Sequence, residues 1–149
     1  QDNLRILSGF YGILKPLDGV VPYRLEMQSK FINYKNKDLY EYWADKIANS
    51  LFEETNLIIN LASKEYSKCV EKYLKNSPGT KFITCVFGEI KGDKVIERGT
   101  LAKMARGEMV RYLAQNKICD LEGLKRFDKL EYKYSQEKSN EKTYVFIKS

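Results

Sequence analysis

One stretch, Leu4–Met27 (LRILSGFYGILKPLDGVVPYRLEM), constrains this chain more than any other. Three of the nine glycines and two of the three prolines fall within it. Glycine admits positive φ, and proline fixes φ and removes a donor, so the backbone is made to bend repeatedly here. The apolar run Leu4–Leu7 reads as a buried strand that breaks at Ser8-Gly9. The charges of Lys15, Asp18, Arg24 and Glu26 sit among large apolar residues, as in a segment lining a cleft. Asp18, Arg24 and Glu26 are expected to form a buried ion network that fixes the loop. Gly9-x-x-Gly12 is too short for a dinucleotide fingerprint or a Walker loop. It reads either as a turn needing positive φ or as backbone amides offered to a phosphate, with Lys15 alongside.

Downstream, the pattern predicts alternating helices and strands. Tyr23–Phe31 reads as an extended segment or a helix start. Asp38 caps a long helix to about Thr55, with Leu39, Tyr42, Trp43, Ile47 and Leu51 at helical spacing. The only tryptophan is therefore assigned to packing. Leu57–Leu61 reads as a central strand, and Ser63 caps a helix to about Lys75. Lys81–Glu89 and Lys94–Arg98 form a hairpin about Ile90-Lys91-Gly92-Asp93. A helix over about Thr100–Lys117 gathers Leu101, Met104, Ala105, Met109 and Tyr112 on one side, with Lys103, Arg106 and Arg111 within an arc of roughly 140° opposite. Asp120 opens a short helical piece ending near Phe127. Leu130–Ser135 and Thr143–Lys148 make a second hairpin around a polar, mobile loop. The expected fold is α/β (α+β mixed): a mixed sheet with flanking helices and two β-hairpins.

Composition narrows the chemistry. The chain has 149 residues, 26 Lys and Arg against 20 Asp and Glu, and no histidine. Its net charge of +6 suits a polyanion, and equally suits an ordinary lysine-rich surface. Without histidine there is no Ser-His-Asp or Cys-His machinery and no His-ligated metal, so acid–base work would fall to carboxylates, lysine or tyrosine. Cys69, Cys85 and Cys119 lack metal or redox spacing and read as reduced thiols of a cytoplasmic protein. No apolar run approaches the roughly 18 residues that span a bilayer, and no signal peptide is visible. No cofactor and no metal are expected.

Three ordered blocks carry a resemblance. Gly9–Asp18 with Pro22–Met27, then Ile59–Tyr66 (INLASKEY), then Ala102–Met109 (AKMARGEM) resemble the signature blocks of the bacterial YaaA family of peroxide stress proteins, the UPF0246 type. The resemblance covers nearly the whole chain. Family members are longer at the amino end, so residues 1–149 read as a single domain that is the carboxy-terminal part of such a protein. The resemblance implies a cytoplasmic bacterial protein of the oxidative stress response. It would bind duplex or branched DNA without sequence preference and be linked to limiting iron-dependent damage. It also implies a positively charged cleft and a helix–hairpin–helix element, to which no segment of this chain is assigned.

Two functional readings follow, with a stress-related scaffold lacking a nucleic-acid partner as a third. In the first, Lys15, Arg24, Lys103, Arg106 and Arg111 contact DNA phosphates, since such contacts carry most non-specific affinity. A solvated helix face with Glu108 nearby is the plain alternative for the last three. In the second, an enzyme acts on a nucleotide or damaged base through the Tyr23-Arg24-Glu26 and Asn60-Ser63-Tyr66 blocks, with Glu26, Ser63 and Tyr66 as candidate catalytic residues. Asn60 and Ser63 lie beyond a strand's carboxyl end, where α/β sheets place ligands, and would equally serve to cap a helix.

Overall fold

The structure, a computed structural model, describes residues 2–30 and 36–149. It divides into two compact units, residues 1–56 with 62–80 and residues 57–61 with 81–149.

In the first unit the strand expected at Leu4–Leu7 is shifted and short. Strand β1 (Ile6–Ser8) pairs antiparallel with β2 (Gly12–Leu14), Ser8 opposite Gly12, as a two-stranded sheet of its own. It is not a buried strand: Ile6 is exposed and Ser8 is the buried member. Tyr23–Glu26 takes no regular structure, and Lys30 bridges to Asp38; Phe31, the end of the Tyr23–Phe31 segment, lies outside the described residues.

Asp38 caps as expected, its carboxylate accepting from the Glu41 amide at 2.9 Å. The single long helix does not follow. Helix α1 (Leu39–Trp43) stops at Ala44, whose φ of 46° and ψ of −125° no helix accommodates, and α2 (Lys46–Glu54) starts afresh after Asp45. The apolar spacing continues across the break, so periodicity alone could not reveal it. Helix α3 (Lys64–Glu71) follows Ser63 and ends short of Lys75, and a 3-10 turn covers Leu74–Asn76. Helices α2 and α3 pack together, burying Ile47, Ala48, Leu51, Cys69 and Val70.

The second unit is built on a five-stranded mixed sheet. Strand β3 (Leu57–Asn60) runs parallel to β4 (Lys81–Lys91), which runs parallel to β7 (Thr143–Lys148). β6 (Tyr132–Tyr134) is antiparallel to β7, and β5 (Lys94–Ile96) turns back on the far end of β4. The order β3-β4-β7-β6 puts β3 at an edge, not at the centre. β4 and β7 take the central places, and Tyr144, Val145 and Phe146 are buried in succession, as a strand covered on both faces requires. Both expected hairpins form, the first turning at Gly92 with φ of 61°. The loop before β7 is tied down: the Ser139 hydroxyl donates to the Ser135 carbonyl at 2.6 Å and accepts from the Val145 amide at 2.9 Å.

Helix α4 (Gly99–Gln115) packs on β4, and α5 (Leu121–Lys125) is capped by Asp120, whose carboxylate accepts from Gly123 at 2.6 Å. Phe87, Phe127, Tyr132 and Phe146 form the aromatic heart of the core, Phe87 and Phe146 stacked at 5.1 Å and the others edge-on. The buried line of α4 is Ala102, Ala105 and Met109, whereas Met104 is 55% exposed. Small alanines let the helix lie close to the sheet, so the buried face is rotated from the one predicted by residue size. Among the described residues no helix is long and apolar enough to cross a membrane.

Candidate functional site

The Gly9–Gly12 turn of the first unit is held by a dense set of hydrogen bonds. The Ser8 hydroxyl oxygen accepts from the Phe10 amide at 3.2 Å and the Tyr11 amide at 2.9 Å, and bonds the Tyr23 hydroxyl at 2.5 Å. Those two amides are thus satisfied within the protein, which removes them as a phosphate cradle. The positive-φ reading of the turn is the one realised: Gly12 has φ of 76°. Its missing side chain matters too, because a Cβ there would lie 2.9 Å from two ring atoms of Trp43. The Trp43 indole N–H donates to the Gly9 carbonyl at 3.0 Å, so the ring is clamped over the turn. Ser8 does carry a signal in sequence, a hydroxyl residue just before a glycine turn.

Beyond the turn the loop is lashed back on itself. Val21 donates to the Tyr11 hydroxyl at 3.0 Å, and the Lys15 amide donates to the Asp18 carboxylate at 2.7 Å. The expected buried ion network is not formed: Asp18, Arg24 and Glu26 are all exposed. Asp18 shapes the turn through a backbone amide instead, as aspartate commonly does. The ammonium of Lys15 and the guanidinium of Arg24 have no carboxylate within ion-pair distance among the described residues.

On α4 the three predicted cations differ. Lys103 is exposed and makes no ion pair among the described residues. Arg111 is 66% exposed and sits 3.7 Å from Glu108. Arg106 is only 19% exposed and donates to Glu97 at 3.0 Å, so it flanks the core rather than facing away from it. Glu97 also accepts from the Phe87 amide at 3.3 Å, so this pair pins α4 to β4. Nothing in the sequence marked Glu97, whose partner lies nine positions on in a different element.

The candidates for the enzymatic reading are distributed as follows. The Ser63 carbonyl accepts the Tyr66 and Ser67 amides, both at 2.9 Å, opening α3. Buried Asn60 donates to Thr84 at 3.1 Å, tying β3 to β4. The Tyr66 phenol is pushed above its usual range, first by burial and then by the Glu65 carboxylate, with smaller contributions from Tyr23 and Glu26, against a hydrogen bond with the Met27 backbone. It therefore holds its proton at neutral pH and offers no base. Burial raises the Cys69 thiol to about 11 and the Cys85 thiol to about 12, the latter despite the pull of Arg106. Protonated buried thiols are poor nucleophiles. Among the described residues, no group of three or more Cys, Asp or Glu is placed to hold a metal. An open polar groove of about 580 Å³ at the end of α2, lined by Glu53, Thr55, Ser77 and Thr80 among others, contains none of the residues singled out in sequence.

Comparison with known proteins places these residues in a wider setting. A family model described as peroxide stress protein YaaA matches residues 1–138. A UPF0246 protein of Lachnoclostridium phytofermentans is 59% identical over 148 residues, covering 99% of this chain. A UPF0246 protein of Desulfitobacterium hafniense is 53% identical over 149 residues, and one of Agathobacter rectalis is 55% identical over 146. The chain spans between 57% and 59% of the length of these three relatives.

Proposed function

The chain belongs to the peroxide stress protein YaaA family, and from that premise we propose that it holds DNA, duplex or branched, through phosphate contacts and so limits iron-dependent damage to it. The observation that supports this most is the state of its cations. Lys15, Arg24 and Lys103 stand exposed with no ion-pair partner among the described residues, in a chain of net charge +6. An unpaired surface cation can neutralise a phosphate and release its condensed counterion without first giving up a carboxylate. Arg111 would exchange its long contact with Glu108 at little cost, since exposed pairs are worth about 0–1 kcal/mol. Arg106 would contribute least, because leaving Glu97 would undo the pin between α4 and β4.

The experiment is a titration of duplex and four-way-junction DNA against salt, for the wild type and for Lys15→Gln/Arg24→Gln/Lys103→Gln. Each lost phosphate contact should lower the slope of log K against log salt by about 1, so the triple variant should lose about three units of slope. Arg106→Gln alone should leave the slope nearly unchanged. Binding of the triple variant with wild-type affinity and slope would remove these side chains as the contact.

A further inference from the structure

Exposed large apolar side chains are concentrated in one stretch of the chain. Ile6, Phe10, Leu17, Val20, Val21 and Tyr23 all fall within eighteen consecutive residues and are 41% to 77% exposed. The other large apolar side chains that stand exposed among the described residues, Tyr42, Ile90, Ile96, Met104 and Leu130, are spread along the rest of the chain. Scattered ones are ordinary, whereas a concentration marks a surface meant to be covered.

This surface is preorganised. Phe10 and Tyr23 lie 5.4 Å apart at 30°, with Tyr11 edge-on to both. The Ser8–Tyr23, Tyr11–Val21 and Lys15–Asp18 hydrogen bonds hold the loop in one shape while its apolar side chains point outward. A rigid surface with fixed rings loses little entropy on being covered. The relatives supply a candidate cover. The Lachnoclostridium phytofermentans protein matches 99% of this chain, yet the match takes up only 57% of its own length.

We propose that in these longer relatives the remainder of the polypeptide packs on the Ile6–Tyr23 face, so that the face is an intramolecular interface and not a surface open to solvent. Lys15 lies within this stretch and Arg24 directly follows it, so the DNA reading then requires both charged groups to stand at the rim of the covered face, whereas Lys103 lies outside it.

Hydroxyl-radical footprinting of this chain and of the full-length Lachnoclostridium phytofermentans protein tests it. The peptide holding Ile6–Tyr23 should label at least about fivefold less in the longer protein, while the peptide holding Met104 labels equally in both. Equal labelling of the matched stretch in the two proteins would overturn the proposal. Sedimentation velocity of this chain and of Leu17→Ser/Val20→Ser/Val21→Ser supplies the second arm. The result expected is a monomer in both cases. A wild-type dimer that the triple variant dissolves would show that a second copy is the natural cover, and would equally overturn it.

Discussion

Replacing Gly12 by alanine should be among the most damaging single-methyl additions available in the first unit. Two costs combine. A residue with a Cβ at φ of 76° sits in the left-handed region, at roughly 1–2 kcal/mol. The new methyl would also meet two Trp43 ring atoms at 2.9 Å, and the ring cannot slide freely because its N–H is held by the Gly9 carbonyl. Overpacking of this kind costs about 1–3 kcal/mol, so Gly12→Ala should lose about 2–5 kcal/mol in all. Gly92 provides the internal control: it too has positive φ, 61°, but nothing lies within 4 Å of its absent Cβ. Gly92→Ala should therefore cost the backbone term alone, roughly 1–2 kcal/mol. Urea unfolding followed by far-UV circular dichroism measures both, with fluorescence of the single tryptophan as a local probe of the clash. At an m-value of about 2 kcal/mol/M the Gly12 midpoint should fall by about 1–2.5 M. Combining Gly12→Ala with Trp43→Leu should cost less than the sum of the two, since the clash is then absent. Equal losses for Gly12→Ala and Gly92→Ala, or strict additivity with Trp43→Leu, would refute the packing argument.

Three further expectations rest on other parts of the structure. Ala44 carries a φ of 46° at the joint between α1 and α2; Ala44→Gly should relieve that strain and raise stability by about 0.5–1.5 kcal/mol, and a loss of stability in urea would contradict it. Cys119 is exposed while Cys69 and Cys85 are buried, so a thiol reagent should modify one cysteine in the native protein and three after unfolding. The pH dependence has a definite sign: the folded thiols sit near 11 and 12, above the unfolded value of about 8.5, so their contribution is complete below pH 8.5 and fades as pH rises through 11 to 12. The Cys69→Ala/Cys85→Ala variant should show a flatter loss of stability between about pH 9 and 12, and an unaltered profile would count against burial as the cause.

Much of the architecture could be read without coordinates, because it is fixed by local chemistry. Asp38 and Asp120 announce helix starts by placing a carboxylate where free amides need an acceptor, and both do so here. The aromatic pairs Tyr132/Tyr134 and Tyr144/Phe146 mark the strands of the last hairpin, although β7 is buried on both faces rather than one, and Gly92 marks the turn of the earlier hairpin. The three blocks that carried the family resemblance needed only residue identity and order. Each of these signals acts over a few residues, so the sequence contains the whole interaction.

What failed to show in sequence depends on partners distant along the chain. Whether β3 is central or at an edge is settled by which strands lie beside it, and a short apolar run such as Leu57–Ile59 reads the same in either place. The α4 face that meets the sheet is not the one residue size suggests, because close approach of helix to sheet selects alanine over the larger methionine. The cations of α4 were indistinguishable as letters. Only the fold decides that Arg106 is largely enclosed and clipped to Glu97 while Lys103 has no ion pair among the described residues, since charge is a property of the residue and availability is a property of its neighbours.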